Sequence, residues 1–219
     1  MKINVMALAQ GRARWFLLGL LLTAPFWTGA LLGPYWVRIL DYCLLYAILA
    51  LGLNIVVGYA GLLDLGFIAF YAVGAYVFAL LASPHWDLHW SPWLILPIAA
   101  AIAAVVGAIL GAPTLRLRGD YLAIVTLGFG EIVRLFINNL DRPINITNGP
   151  QGISGIDTLS VGGWSFDQGL NLGVVNLVSA QLYFYVLLAL VIVAVVACLR
   201  LENSRIGRAW VAIREDEVA

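Results

Sequence analysis

The amino-acid sequence predicts an all-α fold, a polytopic membrane bundle of about six transmembrane helices with a broken or re-entrant region near residues 54–66. Composition is the first observation behind this prediction, because 63% of the 219 residues are hydrophobic and only 11% are charged, whereas soluble domains carry about 25% charged residues. The second is a series of apolar runs long enough to cross a hydrocarbon core, which takes about 20 residues. These runs lie near 15–33, 39–58, 62–82, 93–112, 119–137 and 182–200.

The first run, 15–33, is open to two interpretations. Lys2, Arg12 and Arg14 precede it, a pattern shared by transmembrane helices and cleaved signal peptides, and the small residues at 28–30 resemble a cleavage site. The length of the run and the further spans after it favour a retained helix.

Only the segment Gly58-Tyr59-Ala60-Gly61 separates the second and third runs. Glycine at this spacing predicts a break in the helix. If 39–82 crossed the membrane once, Arg116 and Arg118 would lie outside, so we expect two crossings or a re-entrant pair.

Basic residues predict the orientation of the bundle. With the N-terminus in the cytoplasm, nine of the twelve basic residues lie inside, as the positive-inside rule prefers. Only Arg38, Arg134 and Arg142 then lie toward the outside.

The fourth run carries rows of small residues at helical spacing. Ala99, Ala103, Gly107 and Gly111 form one such row. Small rows let neighbouring helix backbones approach closely, which predicts tight packing within a bundle.

Polar residues inside the predicted spans are candidates for a translocation path, because such groups usually face a partner or a wet cavity. The candidates are Asn54, Asp64 and Glu131. For Asp64, a helix-capping role at the cytoplasmic surface is the favoured alternative. For Glu131, a structural ion pair with Arg134 three residues later is favoured over contact with a substrate.

The long external loop, 138–181, is rich in turn-forming residues. It is either a docking surface for a soluble partner or a solvated connector. The docking candidates are Asn148, Gly149, Gln151 and Gly152. Asn145 begins a glycosylation sequence by pattern only, and His85 and His89 have ligand-like spacing but lie in a proline-bracketed turn, so no metal site is predicted.

Residues 201–219 form the most charged segment of the chain. Ile206, Trp210 and Ile213 fall on one helical face, and Asn203 or Ser204 is placed to cap the start. This amphipathic helix either packs into a groove on a partner or lies at the lipid interface.

Several functional classes are disfavoured. The only lysine is Lys2, so neither a phosphate-binding loop nor a Schiff-base lysine can be built in the body of the chain. The net charge of zero argues against nucleic-acid binding. Cys43 and Cys198 lie in apolar runs and are expected to be buried thiols. A membrane-embedded enzyme or a scaffold is a less favoured alternative to a transport subunit, and no cofactor is expected.

Four motifs carry a family resemblance. They are GYAGLLDLGFIAFYAVGAY at 58–76, LRLRGDYLAIVTLGFGEIVRLF at 115–136, TNGPQGI at 147–153 and SRIGRAWVAIREDEVA at 204–219. With these motifs the chain resembles the LivM-type permease subunits of branched-chain amino-acid ABC transporters, multi-pass proteins of the bacterial inner membrane.

The resemblance implies an importer of leucine, isoleucine and valine, although similar permeases carry urea, short amides or other amino acids. It also implies three kinds of partner. These are a second permease subunit that completes a heterodimer, two cytoplasmic ATPase subunits, and a periplasmic or lipid-anchored substrate-binding protein. ATP hydrolysis is then expected on the partners and not on this chain.

The resemblance further implies that the 201–219 segment contacts an ATPase. The residues expected in this coupling segment are Ser204, Ile206, Gly207, Arg208, Ala209, Trp210, Ile213, Arg214 and Glu215. Gly207 would permit close approach of the backbone. Members of the family continue with further spans after this segment, so the sequence is expected to be part of a longer chain.

Overall fold

The computed structural model describes residues 19–114, 117, 120–171, 176–202 and 204–215. Seven α-helices dominate these residues. They are α1 (Gly19–Leu31), α2 (Pro34–Asn54), α3 (Ile68–Leu81), α4 (Pro92–Thr114), α5 (Asp120–Asn139), α6 (Ser179–Glu202) and α7 (Arg205–Glu215).

Six of these helices are apolar, which confirms the predicted all-α membrane bundle. Within the described residues, four segments are long and apolar enough to cross a membrane: Pro34–Tyr59, Pro92–Thr114, Tyr121–Asn139 and Ser179–Glu202. The apolar helices α1 and α3 are shorter. Large apolar side chains point outward along the spans, as expected of surfaces that face lipid or other membrane subunits.

The break between α2 and α3 is the main irregularity of the bundle. One π-helical turn, Ile55–Tyr59, continues α2, and residues 60–67 are not helical. Gly61 has a φ of +70°, which favours glycine and turns the chain. Helix α3 therefore begins at Ile68 and not near residue 62, where the third apolar run begins. Its 14 residues span about 21 Å.

The non-helical segment is fastened to α5. The backbone N–H of Leu65 donates to Oγ1 of Thr126 at 3.0 Å, and the N–H of Gly66 donates to Oδ1 of Asp64 at 2.8 Å. Gly66 is buried directly against the backbone carbonyl of Thr126, and Gly130 lies next to Gly66. The break is thus packed within the protein, where irregular backbone is tolerated in a membrane.

Helices α2 and α6 pack along their length around a small core. Leu44, Phe184 and Leu188 form this core, and Phe184 is 1% exposed. Two side chains of α6 also hold α1. Nε2 of Gln181 donates to the carbonyl of Pro25 at 3.2 Å, and the hydroxyl of Tyr185 donates to the carbonyl of Leu22 at 2.9 Å.

Small residues line the contact between α3 and α4. Gly74 lies opposite Ala103, Gly107 lies against the ring of Phe70, and Ala99 is buried. The row of small residues noted in the sequence therefore faces α3 over much of its length.

The long loop after α5 folds over the connection between α3 and α4. It contains two short hairpins, Ser160–Val161 (β1) with Trp164–Ser165 (β2) and Leu170–Asn171 (β3) with Asn176–Leu177 (β4). Two 3₁₀ turns, Gly149–Gln151 and Phe166–Gln168, complete it. Two hydrogen bonds anchor the loop. The N–H of Asp157 donates to the carbonyl of Ala82 at 2.6 Å, and Nε1 of Trp93 donates to the carbonyl of Ser160 at 2.7 Å.

Replacing Gly66 by alanine is expected to destabilise the bundle, because the added methyl group would overlap the carbonyl of Thr126. Overpacking of this kind costs about 1–3 kcal/mol, which should lower the melting temperature of the purified protein in detergent. Gly128→Ala is the matched control, since no described atom lies within 4 Å of its added carbon. Equal melting temperatures for the two variants would contradict the close approach.

Candidate functional site

Asp64 stabilises the break itself. Its carboxylate accepts a hydrogen bond from Gly66 two residues later, while α3 begins after Phe67 without any side-chain cap. The favoured alternative, a cap on the third helix, is therefore not the arrangement observed. Asp64 is half-buried and lines two cavities next to Gly111 and Thr126, one of about 30 Å³ and one of about 410 Å³.

Asn54 lies at the other side of the break. It is the last residue of α2, its side chain is exposed, and its amide oxygen packs directly against Gly58. Asn54 thus borders the π-helical turn.

Glu131 and Arg134 form a bidentate ion pair on α5. Nε of Arg134 donates to Oε2 of Glu131 at 2.9 Å, and its Nη2 donates to Oε1 at 2.6 Å. This is the geometry in which guanidinium and carboxylate groups bind most strongly. Both side chains remain accessible, with 62% of Arg134 and 52% of Glu131 exposed.

The ion pair lines an open cavity between α2, α3 and α5, with a volume of about 460 Å³. Four tyrosines contribute to it. They are Tyr42, Tyr46, Tyr71 and Tyr76. The rest of the wall is mainly aliphatic. The volume is within the range of about 300–1,000 Å³ typical of small-molecule sites.

The structure does not bring the three path candidates together. Glu131 lines the cavity beside α2, whereas Asp64 lies on the side toward α4. Sequence reasoning also missed two polar residues. Thr126 carried no signal, because its partner is 61 residues away, and Asp41 is an intramembrane acid whose Oδ1 is buried without a hydrogen-bond partner among the described residues.

The docking candidates in the loop 138–181 form one ordered turn. Thr147 is buried and its hydroxyl donates to the carbonyl of Ile137 at 2.6 Å. Asn148 adopts a left-handed conformation, with φ of 60°, and its Nδ2 donates to the carbonyl of Gly152 at 2.9 Å. Gly149 is buried, whereas Gln151 is exposed and is the candidate most open to a partner.

The two histidines in the connection between α3 and α4 have partners within the loops. Nε2 of His85 lies 3.1 Å from the carbonyl oxygen of Asn145, and Nδ1 of His89 lies 2.6 Å from Oδ2 of Asp157. These contacts join the two loops.

A tight turn connects α6 to the amphipathic helix α7. Ser204 caps α7, since its Oγ accepts from the N–H of Gly207 at 3.1 Å and donates to the carbonyl of Leu201 at 2.6 Å. Gly207 is buried, and a methyl group there would overlap the carbonyl oxygens of Leu201 and Glu202. Within the chain, Gly207 therefore makes a close backbone approach to the end of α6.

The exposed face of α7 is mixed in character. The side chains of Arg208 and Ala209 are exposed and that of Trp210 is half-buried, while Ile206 is 55% exposed. The side chains of Ile213 and Glu215, and residues Asn203 and 216–219, lie outside the part of the chain that is described.

Helix α7 also contacts the break between α2 and α3. Nη1 of Arg214 donates to the carbonyl of Gly58 at 2.9 Å, and the aliphatic stem of Arg214 covers Gly61, where an added carbon would lie 2.6 Å from its Cγ. Nearby, the hydroxyl of Tyr59 donates to Oε2 of Glu202 at 3.4 Å. Helix α7 and the break thus form one continuous structure.

Comparison with known proteins gives consistent matches. Residues 35–219 match the family described as the branched-chain amino acid transport system, permease component. The chain is 45% identical over 217 residues to the high-affinity branched-chain amino acid transport system permease protein LivM of Escherichia coli (strain K12), which covers 93% of this chain and 49% of that protein. It is 44% identical over 217 residues to LivM of Salmonella typhimurium (strain LT2), with the same shares covered.

The chain therefore spans about half the length of the curated relatives it matches. No solved structure gives a significant match.

Replacing Gly207 by alanine is expected to loosen the α6–α7 turn, because the methyl group would overlap two backbone carbonyls. Trypsin should then cleave after Arg205 several-fold faster than in the wild-type protein, as followed by mass spectrometry of the fragments. Gly111→Ala is the control, since no described atom lies within 4 Å of its added carbon. Unchanged cleavage of the Gly207 variant would show that the turn tolerates a side chain.

Proposed function

Because this chain belongs to the branched-chain amino acid transport permease family, we propose that it is a permease subunit of an ABC importer for leucine, isoleucine and valine. A second permease subunit completes a heterodimer, and the path runs between the two. Two cytoplasmic ATPase subunits drive the cycle, so this chain carries out no chemistry of its own. A periplasmic or lipid-anchored binding protein delivers the substrate to the outer face.

The proposal includes a position in the membrane. The chain is a multi-pass membrane protein, and we assign it to the bacterial inner membrane with its N-terminus in the cytoplasm. This orientation puts α7 and the break on the cytoplasmic side and the external loop, 138–181, on the outer side. The turn that carries Asn148, Gly149, Gln151 and Gly152 is then the docking surface proposed for the binding protein.

The observation that carries the coupling role is the contact of α7 with the break. An ATPase that binds the exposed face of α7 acts on a helix whose Arg214 is hydrogen-bonded to Gly58. Movement of α7 is therefore transmitted directly to the irregular segment that contains Asp64. We assign Asn54, Asp64 and Glu131 to the path, with Asp64 acting through the shape of the break.

Introducing a charge on α7 is expected to release the ATPases. Ile206 is 55% exposed, so Ile206→Glu changes the partner-facing surface without disturbing the capped turn. We expect the ATPases to co-purify with the wild-type chain and to be lost from this variant, together with L-leucine uptake into proteoliposomes. Val161→Glu, at a residue of similar exposure (52%) in the external loop, should retain both. Equal recovery of the ATPases with both variants would refute the coupling role of α7.

Removing the link between α7 and the break is expected to uncouple transport. Arg214→Gln deletes the guanidinium donor to the carbonyl of Gly58, and with it the charge-assisted hydrogen bond that joins α7 to the break. We expect the ATPases to remain bound while L-leucine uptake per hydrolysed ATP falls about tenfold. Arg205→Gln makes the same charge change at the start of the helix and should leave this ratio unaltered. A normal ratio in the Arg214 variant would show that force does not pass through this contact.

A further inference from the structure

We propose that the cavity between α2, α3 and α5 binds the transported amino acid as a zwitterion, with Arg134 holding its carboxylate and Glu131 its ammonium group. The inference rests on the proposed function and deepens it, because it gives the substrate a site and gives the ion pair a role. It assigns to substrate recognition a pair that the sequence alone favoured as structural.

Both members of the pair retain hydrogen-bonding capacity. A guanidinium group has five N–H donors and a carboxylate has about four acceptor sites. The structure directs two donors of Arg134 at two oxygens of Glu131. Three donors are left for a ligand carboxylate, and further lone pairs are left for a ligand ammonium group.

Charged side chains that are exposed at the depth of this pair in the membrane are energetically costly unless they contact a polar group. Glu131 lies eight residues before the end of α5 at Asn139, which is about 12 Å along the helix. Charged side chains at such depth normally face a partner or a wet cavity, and here more than half of each side chain is open. An ion pair that is open at this depth can therefore receive a polar ligand.

The walls of the cavity suit the rest of an aliphatic amino acid. On α2, Tyr42, Leu45, Tyr46 and Leu49 follow the spacing of one helical face. Ile68 of α3 and Leu127 of α5 face the same space. An aliphatic side chain would contact these residues while the charged end of the ligand lies at the ion pair.

Pairing within the protein also makes an empty site tolerable. A single buried charge without a partner is strongly destabilising, whereas a compensated pair is much less so. Glu131 and Arg134 neutralise one another before the ligand arrives. A zwitterion brings one charge of each sign, so all four charges remain compensated after binding.

The pair is tested by removing both charges at once. Replacing both members at once leaves no uncompensated charge, so Glu131→Gln combined with Arg134→Gln should still assemble with its partner subunits and hydrolyse ATP. We expect the initial rate of L-leucine uptake per assembled complex in proteoliposomes to fall about 30-fold or more. Arg134→Lys keeps the charge but lacks the fork that binds a carboxylate through two bonds, and should be about tenfold slower than wild type.

The matched control is Arg142→Gln, which removes an arginine that is 91% exposed in the external loop and should transport at the wild-type rate. Wild-type transport by the double variant, or by Arg134→Lys if the double variant does not assemble, would overturn the site. Loss of the second permease subunit from both variants would assign the pair to a subunit interface, and this result would also overturn the proposed substrate site. A wild-type complex that takes up urea but no leucine contradicts the proposed function instead, and this is seen before any variant is compared.

Discussion

The hydroxyl of Thr126 holds together the part of the bundle on which the remaining features depend. A membrane supplies no water to unpaired backbone groups, so a break in a transmembrane helix survives only where the protein satisfies it. The hydroxyl of Thr126 accepts a hydrogen bond from the N–H of Leu65, and the carboxylate of Asp64 accepts one from the N–H of Gly66. Because Gly66 has no side chain, α5 can approach the break closely. This fixes α3 against α5 and thereby forms the cavity that contains Glu131 and Arg134.

Helix α7, the last helix that the structure describes, contacts the same break. Ser204 and Gly207 turn the backbone sharply at the end of α6, which directs α7 back toward the π-helical turn. Arg214 then bonds a carbonyl of that turn. Backbone groups released by an irregular helix can accept such bonds, so the irregularity that is costly in the membrane also supplies the attachment point.

The sequence was sufficient to predict the bundle, since apolar runs and composition reflect the solvent that surrounds the helices. It also located the break from its glycines and indicated Ser204 as one of two possible caps. It could not predict that Thr126 bonds Leu65, because no local pattern links residues 61 positions apart. For Gly207, the sequence indicated a close approach but not its partner, which is the carbonyl end of the preceding helix.

The ion pair of α5 has an electrical consequence. A membrane potential of 100 mV does about 2.3 kcal/mol of work on one elementary charge that crosses the whole membrane. Arg134 and Glu131 carry opposite charges and are bonded side by side, so the field exerts no net force on them as a unit. Moving the pair along the membrane normal therefore has almost the same electrical cost in polarised and depolarised membranes.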